Sequence, residues 1–149
     1  MKVTNGARLV AAATMLIAVT GTAQARQYTV AMKTSGSDGA MVFSPAYLKI
    51  APGDEVLFVA VDKSHNAQSI AGLSPVGSMP FKGAMNQNVK VKFTIPGLYG
   101  YECMPHFFLG MVGLVQVGPA SNKVAFQAGL AKLPPLSKTR MMKYLALVK

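Results

Sequence analysis

Cysteine and histidine are scarce in this chain, with one Cys and two His among 149 residues. A lone cysteine cannot form a disulfide within its own chain, so no internal staple supports the fold. Acid is scarce as well: five Asp and Glu stand against 15 Lys and Arg, a formal charge of +10 at neutral pH. Such a balance speaks of partners and encounter rates rather than of fold, and it favours an acidic partner. The lysines are scattered and do not interleave with aromatic residues as in single-strand binders, which turns the charge away from nucleic acid. Beyond the N-terminus no apolar stretch is long enough for a membrane helix. Internal repeats and low-complexity linkers are also missing.

What is present begins with a basic, then apolar, leader. Lys2 and Arg8 precede an uncharged stretch from Leu9 to Thr20, and Ala23-Gln24-Ala25 places small residues at the first and third positions before a break. This pattern describes a secretory signal peptide over residues 1–25. The expected mature chain, Arg26 to Lys149, is long enough for one domain with its own core. It keeps a net charge of about +8.

Along that domain the hydrophobic period is mostly two. Val89, Val91, Phe93 and Ile95 alternate with Lys90, Lys92 and Thr94, the pattern of a half-buried strand. Residues 28–33, 46–50, 56–61, 99–103 and 111–117 also read as strands, separated by the breakers "SGSDG", "PGD", "SPVGSMP" and "PGL". Many short strands between turns predict an all-β sandwich or barrel. The last 30 residues change character. Phe126, Leu130 and Leu133 recur at helical spacing after a cap at Ser121 or Asn122, and Pro134 and Pro135 break the run. A second helix then carries Met141, Tyr144, Leu145 and Val148 on one stripe, with Lys138, Arg140 and Lys143 largely elsewhere.

Cys103 admits four roles: buried filler, intermolecular bridge, nucleophile or metal ligand. Taken singly, His65 reads as a polar loop residue and Met111 as a core filler. Together the residues say more. Alternation puts Tyr99, Tyr101 and Cys103 on one inward face, and Pro105 and Gly110 shape a compact loop that returns His106 and Met111 toward the cysteine. Thiolate, imidazole and a weakly held thioether suit copper, because soft sulfur stabilises Cu(I) and imidazole accepts both oxidation states. These three leave room for a second imidazole, and His65 is the only other histidine.

The segments "PGDEV", "VDKSHN", "PGLYGYECMPH" and "GMVGLVQV" together resemble the cupredoxins, the small type 1 blue copper proteins. The stretch "GAMVFSPAYLKIAPGDEVLF" with two C-terminal helices is similar, more narrowly, to the pseudoazurin branch. That resemblance implies an eight-stranded Greek-key β-sandwich, residues 26–149, with one copper ion bound by His65, Cys103, His106 and Met111. Asn66 would tie the ligand loops together through a hydrogen bond, and Met41 would lie near the outer histidine and tune the potential.

The resemblance also implies an electron carrier, not an enzyme, working in the periplasm as a monomer. Its acceptor would be an acidic reductase such as copper nitrite reductase or nitrous oxide reductase, its donor a cytochrome or a dehydrogenase chain. Met41, Pro105 and Leu109 would rim the electron port at His106, with Lys63 and Lys82 in a basic ring. Two positions depart from the family: Glu102, where lysine is frequent, and Met104, where a smaller residue is common. Two other classes fit less well. A methionine-rich copper store needs close-spaced runs, yet of 10 methionines only Met141 and Met142 are adjacent. A Cys-His hydrolase needs an open site, which four ligands on one metal do not leave.

Overall fold

Side chains that alternate between apolar and polar bury one face of each strand, and two such sheets close on each other. The computed structural model describes residues 24–149, so the expected signal peptide lies outside the described residues apart from its last two positions. Among the described residues the strands are β1 (Gln27–Gly36), β2 (Gly39–Ser44), β3 (Tyr47–Ile50), β4 (Glu55–Ala60), β5 (Gln68–Ser69), β6 (Val89–Lys92), β7 (Gly97–Glu102) and β8 (Val112–Val117). They form two four-stranded sheets, ordered β2-β1-β4-β6 and β3-β8-β7-β5. The β1–β4 and β3–β8 pairs are parallel and the others antiparallel.

The core lies between the sheets. Val30, Met32, Val56 and Phe58 face inward from the first, and Leu98, Tyr101, Leu114 and Val115 are equally inaccessible on the second. Tyr101 sits at the centre, edge-on to Phe43 and Phe58 with centroids 4.7 and 4.9 Å away. Its ring lies over Gly113, where an added Cβ would overlap Tyr101 Cζ and Oη; any side chain there would expel the tyrosine. A packed aromatic floor therefore lies two residues before Cys103.

The second sheet is covered on its outer side too. Helix α1 (Lys123–Gly129) lays Phe126 against Gly100 of β7, and α2 (Pro135–Leu145) buries Met141, Tyr144 and Leu145. This explains why every residue of β8 is buried although a half-exposed strand would alternate.

Several expectations change in detail. β2 and β5 were not expected as strands, and the 89–95 run ends as a strand at Lys92. Asn122 precedes α1 but makes no side-chain cap; its amide instead accepts from Leu98 N–H and donates to the Leu98 carbonyl, stitching α1 to β7. Arg140, expected largely off the apolar stripe of the second helix, spends its guanidinium on four backbone carbonyls.

Candidate metal centre

β7 ends at Glu102, and the chain turns at Cys103 into a short 3-10 segment, Met104–Leu109. Pro105 starts that segment, and Gly110 ends it in the left-handed region at φ 83°, a conformation glycine adopts without steric cost. The turn closes on itself. His106 N–H donates to the Cys103 carbonyl (3.1 Å), Met111 N–H to the His106 carbonyl (3.1 Å) and Cys103 N–H to the Met111 carbonyl (2.9 Å). Backbone bonding thus brings Cys103, His106 and Met111 together before any side chain acts.

His65 arrives from the loop after β4. Asn86 N–H donates to its carbonyl, and Asn86 Oδ1 accepts from Ser64 N–H, so the 84–87 turn braces this loop. The result is a triangle of donor atoms: His65 Nδ1 to His106 Nδ1 is 3.1 Å, Cys103 Sγ to His106 Nδ1 3.5 Å, and Cys103 Sγ to His65 Nδ1 3.8 Å. A point about 2 Å from all three exists within it, the length of a metal–nitrogen bond to a first-row ion. Among the described residues this is the group of His, Cys and acidic side chains with such convergence.

Two imidazoles aim the same nitrogen, Nδ1, at each other. That arrangement suits a cation between them better than a direct bond. Thr34 Oγ1 stands 3.4 Å from His65 Nε2, a hydrogen-bond partner for the outer nitrogen while Nδ1 faces the group. Burial holds the His65 pKa below the ordinary imidazole range, with His106 adding to the shift and Asp62 opposing it. Burial also pushes the Cys103 thiol up, against backbone N–H groups that pull it down, so a metal must displace its proton. The fully buried Met111 completes the group, its backbone bonded to both loop ligand candidates. One soft sulfur, two imidazoles and a thioether, with no carboxylate among them, are donors that fit copper.

The surroundings join the loops. Asn66 Oδ1 accepts the Met104 N–H at 2.8 Å, and Asn66 Nδ2 donates to Gln68 Oε1 and to the Gly83 carbonyl. Gln68 Nε2 in turn donates to Glu102 Oε1 at 2.9 Å. Glu102 and Met104, the two unusual positions, are the ends of one hydrogen-bonded chain. Burial raises the Glu102 pKa, and the Gln68 bond partly opposes it.

Outside the buried triangle lies an apolar surface. Phe108 is 78% exposed, Met104 52% and Leu109 51%, and Pro105 is also open. Phe107 turns inward and His106 and Met41 are half-buried. Lys63 and Lys82 are exposed, Lys82 bridging to Gln68 through the backbone. Thr34, Gln68, Asn86, Ser137 and Arg140 were not expected at the site; apart from the Asn66–Gln68 bond, their partners are distant in sequence and carry no local signal.

Comparison with known proteins agrees with this geometry. The family model of copper binding proteins, plastocyanin/azurin family, matches residues 30–118. The chain belongs to that family. It is 44% identical to the pseudoazurin of Paracoccus pantotrophus over 94% of this chain and 96% of that one, and 45% identical to the pseudoazurin of Methylorubrum extorquens over 74% and 76%. The crystal structure of pseudoazurin from Methylobacterium extorquens AM1 superposes with TM-score 0.78 at 35% identity, covering 83% of this chain and 99% of that one. Native pseudoazurin from Hyphomicrobium denitrificans gives 0.76 at 36%, covering 83% and 98%. Within the family the chain is most like the pseudoazurins: a blue copper electron-transfer protein, an electron carrier rather than an enzyme, that works with redox partner proteins.

Proposed function

We propose that His65, Cys103, His106 and Met111 hold the copper, and that the protein shuttles single electrons in the periplasm to copper nitrite reductase or nitrous oxide reductase. The observation that carries the ligand set is the convergence of His65 Nδ1, Cys103 Sγ and His106 Nδ1 within 4.8 Å of one another. Copper bound there supplies a one-electron Cu(II)/Cu(I) couple.

The chain's own residues do the rest. Cys103 and His65 are buried among core residues that cannot shift far, which keeps the donors in place through a change of charge. Asn66 holds the two loops in register, and the half-buried His106 gives the site an edge toward solvent. Around it Met41, Pro105 and Leu109 form an apolar docking rim with Met104 and Phe108. A small contact of this kind favours brief association.

Charge favours an acidic partner. All five Asp and Glu side chains are engaged internally: Asp38 with Lys143 and Tyr144, Asp54 and Asp62 with backbone N–H groups, Glu55 with Lys90 and Glu102 with Gln68. With 15 Lys and Arg against five Asp and Glu the excess charge is positive, and the exposed Lys63 and Lys82 are proposed to steer encounter. Removal of residues 1–25 on export leaves the domain 26–149 as a soluble monomer. No helix of the described residues is long and apolar enough to cross a membrane.

Mixing the Cu(I)-loaded protein with each purified reductase in a stopped-flow instrument tests the assignment. Rapid return of the Cu(II) visible band with one of them supports it. No oxidation by either, while a small-molecule oxidant restores the band, removes both acceptors.

A further inference from the structure

Three turns of α2 present Ser137, Arg140, Met141 and Tyr144 at helical spacings of three and four, hence on one face. Met141 and Tyr144 are ordinary core. Ser137 and Arg140 are not, because both spend their donors on the carbonyls of loops next to the metal centre. Ser137 Oγ, wholly buried, donates to the Phe107 carbonyl. Arg140 Nη1 donates to the Gly110 carbonyl at 3.0 Å and the Met41 carbonyl at 2.7 Å; Nη2 donates to the carbonyls of Ala40 at 2.9 Å and Asp38 at 3.2 Å.

We infer that Arg140 is a positioning residue for the copper site, clamping the ligand loop at Gly110 to the start of β2 at Ala40 and Met41 and so setting where Met111 stands. This rests on the ligand assignment proposed above. The peptide between Gly110 and Met111 is planar and is pinned at both ends: its carbonyl oxygen by Arg140 and its N–H by the His106 carbonyl. With both ends held, the direction in which the chain delivers Met111 is fixed relative to His106. Met111 would offer a weakly held thioether, a donor whose placement would tune the potential of copper held there.

The contact is mutual. A Cβ on Gly110 would come within 3.2 Å of Arg140 Cδ and 2.9 Å of Leu136 Cγ, so the arginine stem and its neighbour cover the glycine while the guanidinium takes its oxygen. Met41 has φ 52°, the left-handed region that a side chain rarely adopts. Bonds from Arg140 to the carbonyls of Ala40 and Met41, on either side of that torsion, offset its cost. A planar fork with five donors can serve four carbonyls at once, and an ammonium cannot.

Arg140→Met keeps much of the stem and removes the fork, and Arg140→Lys keeps the charge with partial reach. Phe126→Leu in α1 is the control for plain loss of core packing. On copper-loaded full-length proteins the ratio of visible bands, the Cu(II) paramagnetic resonance and the reduction potential are recorded, with amide exchange at Gly110 and Met111 in the Cu(I) form. Arg140→Met should change band ratio and potential and speed exchange at these two amides about tenfold, the loss of charge-assisted bonds. Arg140→Lys should fall between it and the wild type, and Phe126→Leu should lower thermal stability with the spectrum unchanged. If Arg140→Met, or Arg140→Lys where the former does not fold, matches the wild type in spectrum, potential and exchange, the clamp is overturned. Failure of the ligand assignment is read separately, as absence of the thiolate band in the wild type, and would end the role of the clamp at copper.

Discussion

Asn66 accepts the backbone N–H of Met104 at 2.8 Å across 38 residues of sequence, and this bond joins the loop that carries His65 to the loop that carries Cys103, His106 and Met111. Replacing Asn66 with Ala leaves that N–H without a partner at the edge of the core. The expected cost is about 1–3 kcal/mol of stability in the copper-loaded protein. Denaturant unfolding checks it, and an unchanged midpoint would show the bond to be dispensable.

Glu102 extends the same chain through Gln68 to Asn66. Glu102→Ala removes the acceptor that orients Gln68 and should cost about 1 kcal/mol, whereas Glu102→Gln keeps an acceptor oxygen and should stay within about 0.5 kcal/mol of wild type. Urea midpoints for the two variants measured side by side decide between an orienting role and a role for charge alone. Equal losses in both would favour charge.

Acid should destabilise the fold through two carboxylates. The Lys143 ammonium bonded to Asp38 holds its pKa below the usual carboxylate range, and the Arg26 and Ala51 N–H groups do the same for buried Asp54. A depressed folded-state pKa contributes stability that is present above the unfolded value, about 3.9, and is lost as pH falls through the folded one. Thermal midpoints should therefore drop below about pH 4. In Asp54→Asn the acid limb should be shallower, and an identical slope would place the acid sensitivity elsewhere.

Salt should slow electron exchange with an acidic partner. At 0.1 M the screening length is about 10 Å, so exposed Lys63 and Lys82 lose most of their reach. Lys63→Glu and Lys82→Glu should lower the association rate at low ionic strength and converge on the wild type at high salt. Rates that ignore both salt and charge reversal would leave these lysines as solvated surface.

Much of the centre was legible because its residues are rare. A chain with one Cys and two His leaves few ways to group Cys103, His106 and His65, and the strand before Cys103 shows its inward face by alternation. β2 stayed hidden since it begins at exposed Gly39 and Ala40, residues without strand preference. β5 is two residues long, too short for any period. The part played by Arg140 is hidden for a physical reason: an arginine off an apolar helical stripe normally meets water, and its carbonyl partners lie up to 102 residues away. Phe107 and Phe108 were indistinguishable in sequence. The 3-10 turn decides between them, sending Phe108 outward and binding the Phe107 carbonyl to Ser137.

The ligand set is tested most directly by loading the protein with Cu(II) and recording its visible absorption and paramagnetic resonance, for the wild type and for Cys103→Ala, His65→Ala, His106→Ala and Met111→Leu. An intense thiolate-to-copper band in the wild type, lost in Cys103→Ala, weakened or altered in both histidine variants and kept with a shifted potential in Met111→Leu, is the expected result. A wild type without that band, or a band that survives Cys103→Ala, would contradict it.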